Sequence, residues 1–136
     1  MGILGSMRLL TITSRTLLLA LVLPVTACGH PMQRKLEGRW LGEAVENVDP
    51  ERVAAATGWT KGLSMEFAGD HVTIAIAAED PRSGKYEVAR VHKNDVYLSI
   101  QARDGRTSRA HFKLDDERSL RWMIGEGRAV VLRREL

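Results

Sequence analysis

The sequence predicts an all-β fold: an up-and-down barrel of about eight short antiparallel strands, with one short helix between the first two strands. Apolar and polar residues alternate in short runs through residues 36–136, as in strands with one buried face. Breakers rich in Gly, Asp and Asn separate these runs by only a few residues. Strands joined in sequence by tight turns favour a meander, and closure into a barrel removes its exposed edges.

The first strand is expected over about residues 39–46, and a helix follows it. Asp49 is a suitable N-cap residue, residues 53–56 continue the helical pattern, and Gly58 is expected to end the helix. Trp59 would then lie just past the helix and outside any strand. We interpret it as a lid over one barrel mouth, or alternatively as an exposed aromatic anchor at a partner site.

The later strands place large apolar side chains at every second position, so that one face of each strand points inward. By strand, these residues are Leu63, Met65 and Phe67; Val72, Ile74 and Ile76; Tyr86 and Val88; Val96, Leu98 and Ile100; Ala110, Phe112 and Leu114; Leu120, Trp122 and Ile124; Val130 and Leu132. Eight strands enclose a space that side chains fill, or that holds one small ligand.

Residues 1–27 have the layout of a signal peptide. Arg8 and Arg15 form a basic start, and no acidic residue precedes Glu37. The apolar run over residues 17–23 is too short to span a bilayer comfortably. We therefore expect this segment to direct export and not to belong to the fold.

The residues at the end of this segment are Val25, Thr26, Ala27 and Cys28. They resemble the lipobox of bacterial lipoproteins, in which an apolar residue and two small residues precede a cysteine. The resemblance implies cleavage before Cys28 and fatty acylation, as with palmitate, at this residue. The alternative is an ordinary secretory signal with a chance cysteine.

The residue after the cysteine bears on location. In enterobacterial lipoproteins an aspartate there retains the protein at the inner membrane, so Gly29 implies the outer membrane, with the domain facing the periplasm. Residues 28–35 are then a lipidated tether and residues 36–136 the barrel domain. Arg34 and Lys35 are placed to touch anionic head groups weakly.

Charge and cysteine content exclude several classes of function. The whole chain carries a formal charge of +3, and removal of Arg8 and Arg15 with the signal lowers Lys+Arg from 20 to 18 against 17 acidic residues. The excess of basic residues, which would be the main argument for a nucleic-acid partner, is thereby almost removed. Cys28 is the only cysteine, so a mature chain has no disulfide and no cysteine-based metal site.

Residues of the first and last predicted strands resemble the lipocalin kernel. Gly38 and Trp40 lie on the first strand, and Arg133 and Arg134 lie at the end of the last. In lipocalins an arginine of the last strand lies over this tryptophan at the closed end of the barrel. The small size of the domain and the inserted helix depart from typical lipocalins, and they resemble the lipocalin-like domains of small bacterial lipoproteins.

Candidate reactive residues are few. His71 and His92 are weak metal candidates, since a pairing of their strands with Ala77 opposite Tyr86 would place them opposite each other. We interpret them as solvated surface histidines, with no metal or other cofactor. The serines show no nucleophile elbow. Tyr97 faces outward and could extend a partner or ligand surface around Trp59.

Three functions remain open at this stage. The first is a membrane-anchored, non-catalytic module that binds an envelope protein or another envelope component with its surface. The second is a carrier of a small apolar ligand in a lipocalin-like cavity. The third is a hydrolase or metal-dependent enzyme. The oligomeric state is left open.

Overall fold

A computed structural model describes residues 29–136, so the predicted signal peptide and lipobox, including Cys28, lie outside the described residues. All eight strands are antiparallel to their neighbours and close into a barrel in sequence order, which confirms the predicted fold. The elements are α1 (Pro31–Leu36), β1 (Gly38–Glu46), α2 (Val53–Lys61), β2 (Ser64–Ala68), β3 (His71–Ala75), β4 (Arg82–His92), β5 (Asp95–Ala102), β6 (Thr107–Leu114), β7 (Ser119–Gly125) and β8 (Arg128–Arg134).

Tight turns and one long-range pairing set the topology. Backbone with positive φ, at Gly69 and Lys93, allows the short connections between β2 and β3 and between β4 and β5. The closing pair joins β1 to β8, with Trp40 opposite Arg134. Both strands therefore have a hydrogen-bonded neighbour on each side, as barrel closure requires.

The two ends of the barrel carry different elements. What we term the α1 end holds α1, the C-terminus and the turns that follow β2, β4 and β6; the α2 end holds α2 and the loops that follow β3, β5 and β7. Apolar side chains from every strand and from α1 fill the barrel. The largest fully buried ones are Trp40, Tyr86, Phe67, Phe112, Leu36, Leu63, Met65, Leu98, Leu120, Leu132, Val96 and Val130.

Helix α1 is absent from the sequence-based prediction, which places most of its six residues in the tether. The helix packs onto the barrel through Leu36, which is fully buried, and Met32, which is nearly so. His30 caps it, with Nδ1 accepting a hydrogen bond from the Met32 amide at 3.0 Å. Most of the expected tether is thus folded against the barrel.

Helix α2 differs from its prediction at both ends. Asp49 does not cap it; the N-cap position is Arg52, which makes no side-chain capping hydrogen bond. The helix also continues through Gly58 and ends at Lys61, with Gly62 as its C-cap. An internal glycine costs about 1 kcal/mol relative to alanine, which tertiary contacts of the following turn can outweigh. The carbonyl of Gly62 accepts a hydrogen bond from the Ala77 amide, so that turn is fixed to the barrel.

Candidate functional site

Outward-facing side chains form a row across the middle of four neighbouring strands. Arg90 of β4 pairs with Tyr97 of β5, which pairs with His111 of β6, which pairs with Met123 of β7. Paired residues project from the same face of a sheet, so the row lies on the outer wall of the barrel. Together with Arg109 it lines a surface depression of about 850 Å³, which we term the outer groove.

The side chains in this row are ordered by stacking. The Tyr97 and His111 rings are parallel within 13°, with centroids 4.4 Å apart. The guanidinium of Arg90 lies 5.8 Å from the centre of the Tyr97 ring, within cation–π range. Tyr97 nevertheless remains 36 % exposed. These contacts fix the orientation of a tyrosine whose edge stays accessible to solvent.

A carboxylate holds the imidazole of His111 in place. His111 Nε2 lies 2.7 Å from Asp95 Oδ1, and Lys113 Nζ lies 3.9 Å from the same oxygen. The hydrogen bond from His111 lowers the pKa of Asp95, with smaller contributions from the charges of Lys113, His111 and His92. The carboxylate therefore stays ionised and anchors the ring that stacks on Tyr97.

The charged side chains that line the outer groove are all positive. They are Arg90 and Arg109, and no Asp or Glu is among the lining residues. Guanidinium groups form bidentate hydrogen bonds with carboxylates and phosphates. The groove is therefore suited to an acidic group on a partner, bound beside the edge of an aromatic ring.

The residues that resemble the lipocalin kernel meet at the α1 end. The guanidinium of Arg134 lies 4.2 Å from the centre of the Trp40 ring. The same group donates hydrogen bonds to the carbonyls of Lys35, Glu37 and Glu117. Gly38 has a φ of +121°, and a Cβ atom there would lie 2.9 Å from Arg134 Nη1. Glycine therefore leaves room for the arginine.

The neighbouring Arg133 has a different role. It points away from Trp40 and forms an ion pair with Glu43, with Nε 2.7 Å from Oε2. Sequence reasoning left both arginines open for the contact with the indole, and the geometry selects Arg134. The alternation of side chains along β8 separates the two, because adjacent residues of a strand face opposite sides.

The expected pairing of His71 with His92 is wrong. His71 lies opposite Lys85 and His92 lies opposite Asp95, because β3 and β4 pair around a loop centred on residue 78, and β4 then runs past the start of β3 before it turns into β5. His71 Nδ1 contacts Asp70 Oδ1 at 2.7 Å, and this hydrogen bond lowers the pKa of Asp70. Among residues 29–136, no group of three or more His, Cys, Asp or Glu side chains could hold a metal ion.

Trp59 and Tyr97 do not form one surface. Trp59 lies inside α2, not beyond it, and α2 packs against β1. Tyr97 lies on β5, four strands away in the closed barrel. Trp59 is 41 % exposed and Val53 42 %, so neither plugs the mouth, and the fully buried side chain of this helix is Thr60.

Sequence reasoning identified Tyr97 as outward but missed the residues around it. Arg90, Arg109 and His111 are spread over strands whose partners depend on register. The turn that contains Asp104 and Gly105 carries a usable signal, since a three-residue loop over residues 103–105 aligns Tyr97 with His111. The irregular pairing between Val88 and Arg90 leaves no equivalent signal for β4.

Between Gly29 and Leu136, no helix has the length and apolar character needed to cross a bilayer. Comparison of the chain with protein-family models, with curated proteins and with solved structures finds no match.

Proposed function

We propose that the protein is a lipid-anchored, non-catalytic module of the bacterial cell envelope, which binds an envelope component through the outer groove. The observation that supports binding is the groove itself, with two arginines beside an ordered Tyr97–His111 stack on the barrel wall. The anchor is supported by the lipobox-like residues before Cys28. Similarity to lipocalin-like lipoproteins is supported by the contact between Trp40 and Arg134.

The proposed address is the outer membrane, with the barrel in the periplasm and Gly29 following the acylated residue. Labelling of bacteria with palmitate should mark the wild-type protein and leave a Cys28→Ser variant unmarked. Because two or more acyl chains give stable anchoring, only the wild type should stay with the membrane fraction in high salt. A Cys28→Ser variant that remains with the membrane would contradict the proposal.

The proposed partner of the groove is an acidic component of the envelope. A photoreactive amino acid at position 97 of the anchored protein should form a discrete adduct in intact cells. The matched control is the same amino acid in place of Glu66, an exposed outward residue of β2 on the far side of the barrel. An adduct of the same size at both positions would show that the groove has no special role.

The arginines are tested in the same experiment. Replacement of Arg90 and Arg109 by glutamine should abolish the adduct at position 97, because the guanidinium groups are proposed to bind the acidic partner. Replacement of Arg52 and Arg103, which lie outside the groove, should leave the adduct unchanged. An adduct that persists without Arg90 and Arg109 would contradict the proposed chemistry.

A second candidate function is the carriage of a small apolar ligand at the α2 end. Several inward side chains toward this end are only partly buried, although they pack on the core; they are Val45, Ile74, Ile76, Val88, Ile100, Ala110 and Trp122. An apolar probe such as anilinonaphthalene sulfonate should gain fluorescence with the native barrel, and an Ala110→Phe substitution should remove the gain. No gain at saturating probe would exclude this candidate.

A further inference from the structure

Helix α1 is fixed to the barrel at several points. Trp40 Nε1 donates a hydrogen bond to the Leu36 carbonyl at 2.8 Å, and Arg134 Nη2 donates one to the Lys35 carbonyl at 2.6 Å. Leu36 is fully buried in the core. The helix and the barrel therefore move as one body.

The proposed lipid attachment point lies very close to this body. Within residues 29–136, the first regular structure is the helix that starts at Pro31 and is capped by His30. A stretch of three residues, from Cys28 to Pro31, spans at most about 10 Å when fully extended. Acyl chains at Cys28 would therefore hold the α1 end of the barrel next to the bilayer surface.

The side chains at this end suit an anionic surface. Arg34, Lys35 and Arg118 line a depression of about 660 Å³ there, together with Arg134, two acidic residues and two leucines. Among the residues that the structure describes, these first three cations form no salt bridge. Leu136 lies in the same depression and is 93 % exposed.

We propose that the α1 end docks on the surface of a bilayer that contains anionic phospholipids. Arg34, Lys35 and Arg118 bind lipid phosphates, and Leu136 lies at the interface. This inference rests on the proposed lipid anchor, and it adds a fixed orientation: the α2 end points away from the membrane, and the outer groove opens sideways, parallel to it. Each basic side chain near such a surface strengthens association by about fivefold.

The orientation is tested with the acylated protein in vesicles of phosphatidylcholine and phosphatidylglycerol. A polarity-sensitive fluorophore is attached to a Leu136→Cys variant, and to an Asp104→Cys variant as the control at the α2 end. We expect a blue-shifted emission that brominated lipids quench at position 136, and a water-like, unquenched emission at position 104. In the proposed anchor the sulfur of Cys28 carries diacylglycerol and therefore does not react with the label.

Charge reversal identifies the groups that dock. Substitution of Arg34, Lys35 and Arg118 by glutamate should return the label at position 136 to a water-like emission. Substitution of Arg52, Lys61 and Arg103, three cations of the α2 end, should leave it blue-shifted. If the blue shift at position 136 is lost in the α2-end variant but kept in the variant of Arg34, Lys35 and Arg118, the assignment of the docking cations is wrong.

The outcomes separate this inference from the anchor itself. If the chain floats with the vesicles while both labels remain in water, the orientation is wrong and the anchor stands. A chain that does not float with the vesicles contradicts the anchor, and with it the docked orientation. Blue-shifted emission from both positions contradicts the orientation alone.

Discussion

Arg134 is the side chain on which the polar contacts of the α1 end converge. It stacks on Trp40 and donates to three backbone carbonyls, from α1, from the residue after it, and from the turn between β6 and β7. Hydrogen bonds from a charged group contribute more than neutral ones, and removal of the donor leaves the carbonyls without their partner. One residue thereby ties three parts of the chain together.

Replacement of Arg134 by alanine should lower the free energy of unfolding by about 3 kcal/mol, from the lost cation–π contact and charged hydrogen bonds. Arg133→Ala is the matched control, since its ion pair with Glu43 is about half exposed and is expected to contribute much less than the contacts of Arg134. Urea unfolding measures both. Equal losses in the two variants would contradict the role given to Arg134.

Tyr86 is fully buried, and its hydroxyl group finds no hydrogen-bond partner among residues 29–136. The ring packs edge-on against Phe67, with centroids 5.3 Å apart. A buried polar group without a partner is costly, so Tyr86→Phe should raise stability by about 1 kcal/mol at pH 7. A loss of stability in thermal unfolding would show that the hydroxyl has a partner.

The same residue predicts a dependence on alkaline pH. Burial raises the pKa of the Tyr86 phenol to about 12, with smaller effects from the Glu37 and Asp70 carboxylates. In the unfolded chain the phenol ionises near 10, so between these values the unfolded state holds fewer protons and stability falls as pH rises. The advantage of Tyr86→Phe should therefore grow by up to about 2 kcal/mol from pH 9 to pH 12, as measured by urea unfolding.

Asp95 predicts a dependence on acidic pH. Its pKa is lowered in the folded state, chiefly by the hydrogen bond from His111, so its contribution is complete above about pH 4 and is lost as pH falls through the folded value. Wild type should exceed Asp95→Asn in stability near pH 6, and this difference should shrink as the pH falls below about 4. Asp80→Asn, in the exposed loop after β3, is the control and should match wild type throughout.

Two glycines show how α2 is accommodated against the barrel, one inside the helix and one on the strand beneath it. Gly58 lies inside the helix, and a Cβ atom added there would have no other atom within 4 Å, so Gly58→Ala should stabilise the protein by about 0.5–1 kcal/mol. At Gly42 a Cβ atom would overlap the carbonyl oxygen of Thr60. Gly42→Ala should therefore destabilise the barrel and loosen α2 from β1. Thermal unfolding measures the stability of both variants. A Gly42→Ala variant more stable than wild type would contradict this packing.

The elements that the sequence predicts well are those with a local pattern. Alternation at Val96, Leu98 and Ile100 defines β5 without any knowledge of its neighbours. Helix α1 has only six residues, and its apolar positions, Met32 and Leu36, form one turn's repeat, so no periodic signal could distinguish it from a tether. Its stability comes from packing on the barrel, which a local pattern does not contain.

Whether a prediction of neighbouring residues was right depended on the pairing register of the strands that carry them. A tight turn fixes the pairing of the strands that it joins, and the three-residue loop over residues 103–105 aligns Tyr97 of β5 with His111 of β6. The loop between β3 and β4 is longer, and the register expected across it is wrong by seven residues, since His71 faces Lys85 and not His92. The candidate site depends on register across four strands, so the sequence revealed Tyr97 but not its neighbours.

Barrel closure has a consequence for the order of folding. Arg133 and Glu43 bond across ninety residues of chain, and Trp40 gains its arginine only from the last strand. Contacts so distant in sequence form slowly, because much of the chain must be ordered before they are made. A chain threaded across a membrane from its N-terminus would present β1 first and β8 last. The indole of Trp40 in β1 would then lack its contact with Arg134 until synthesis and export of the final residues were complete.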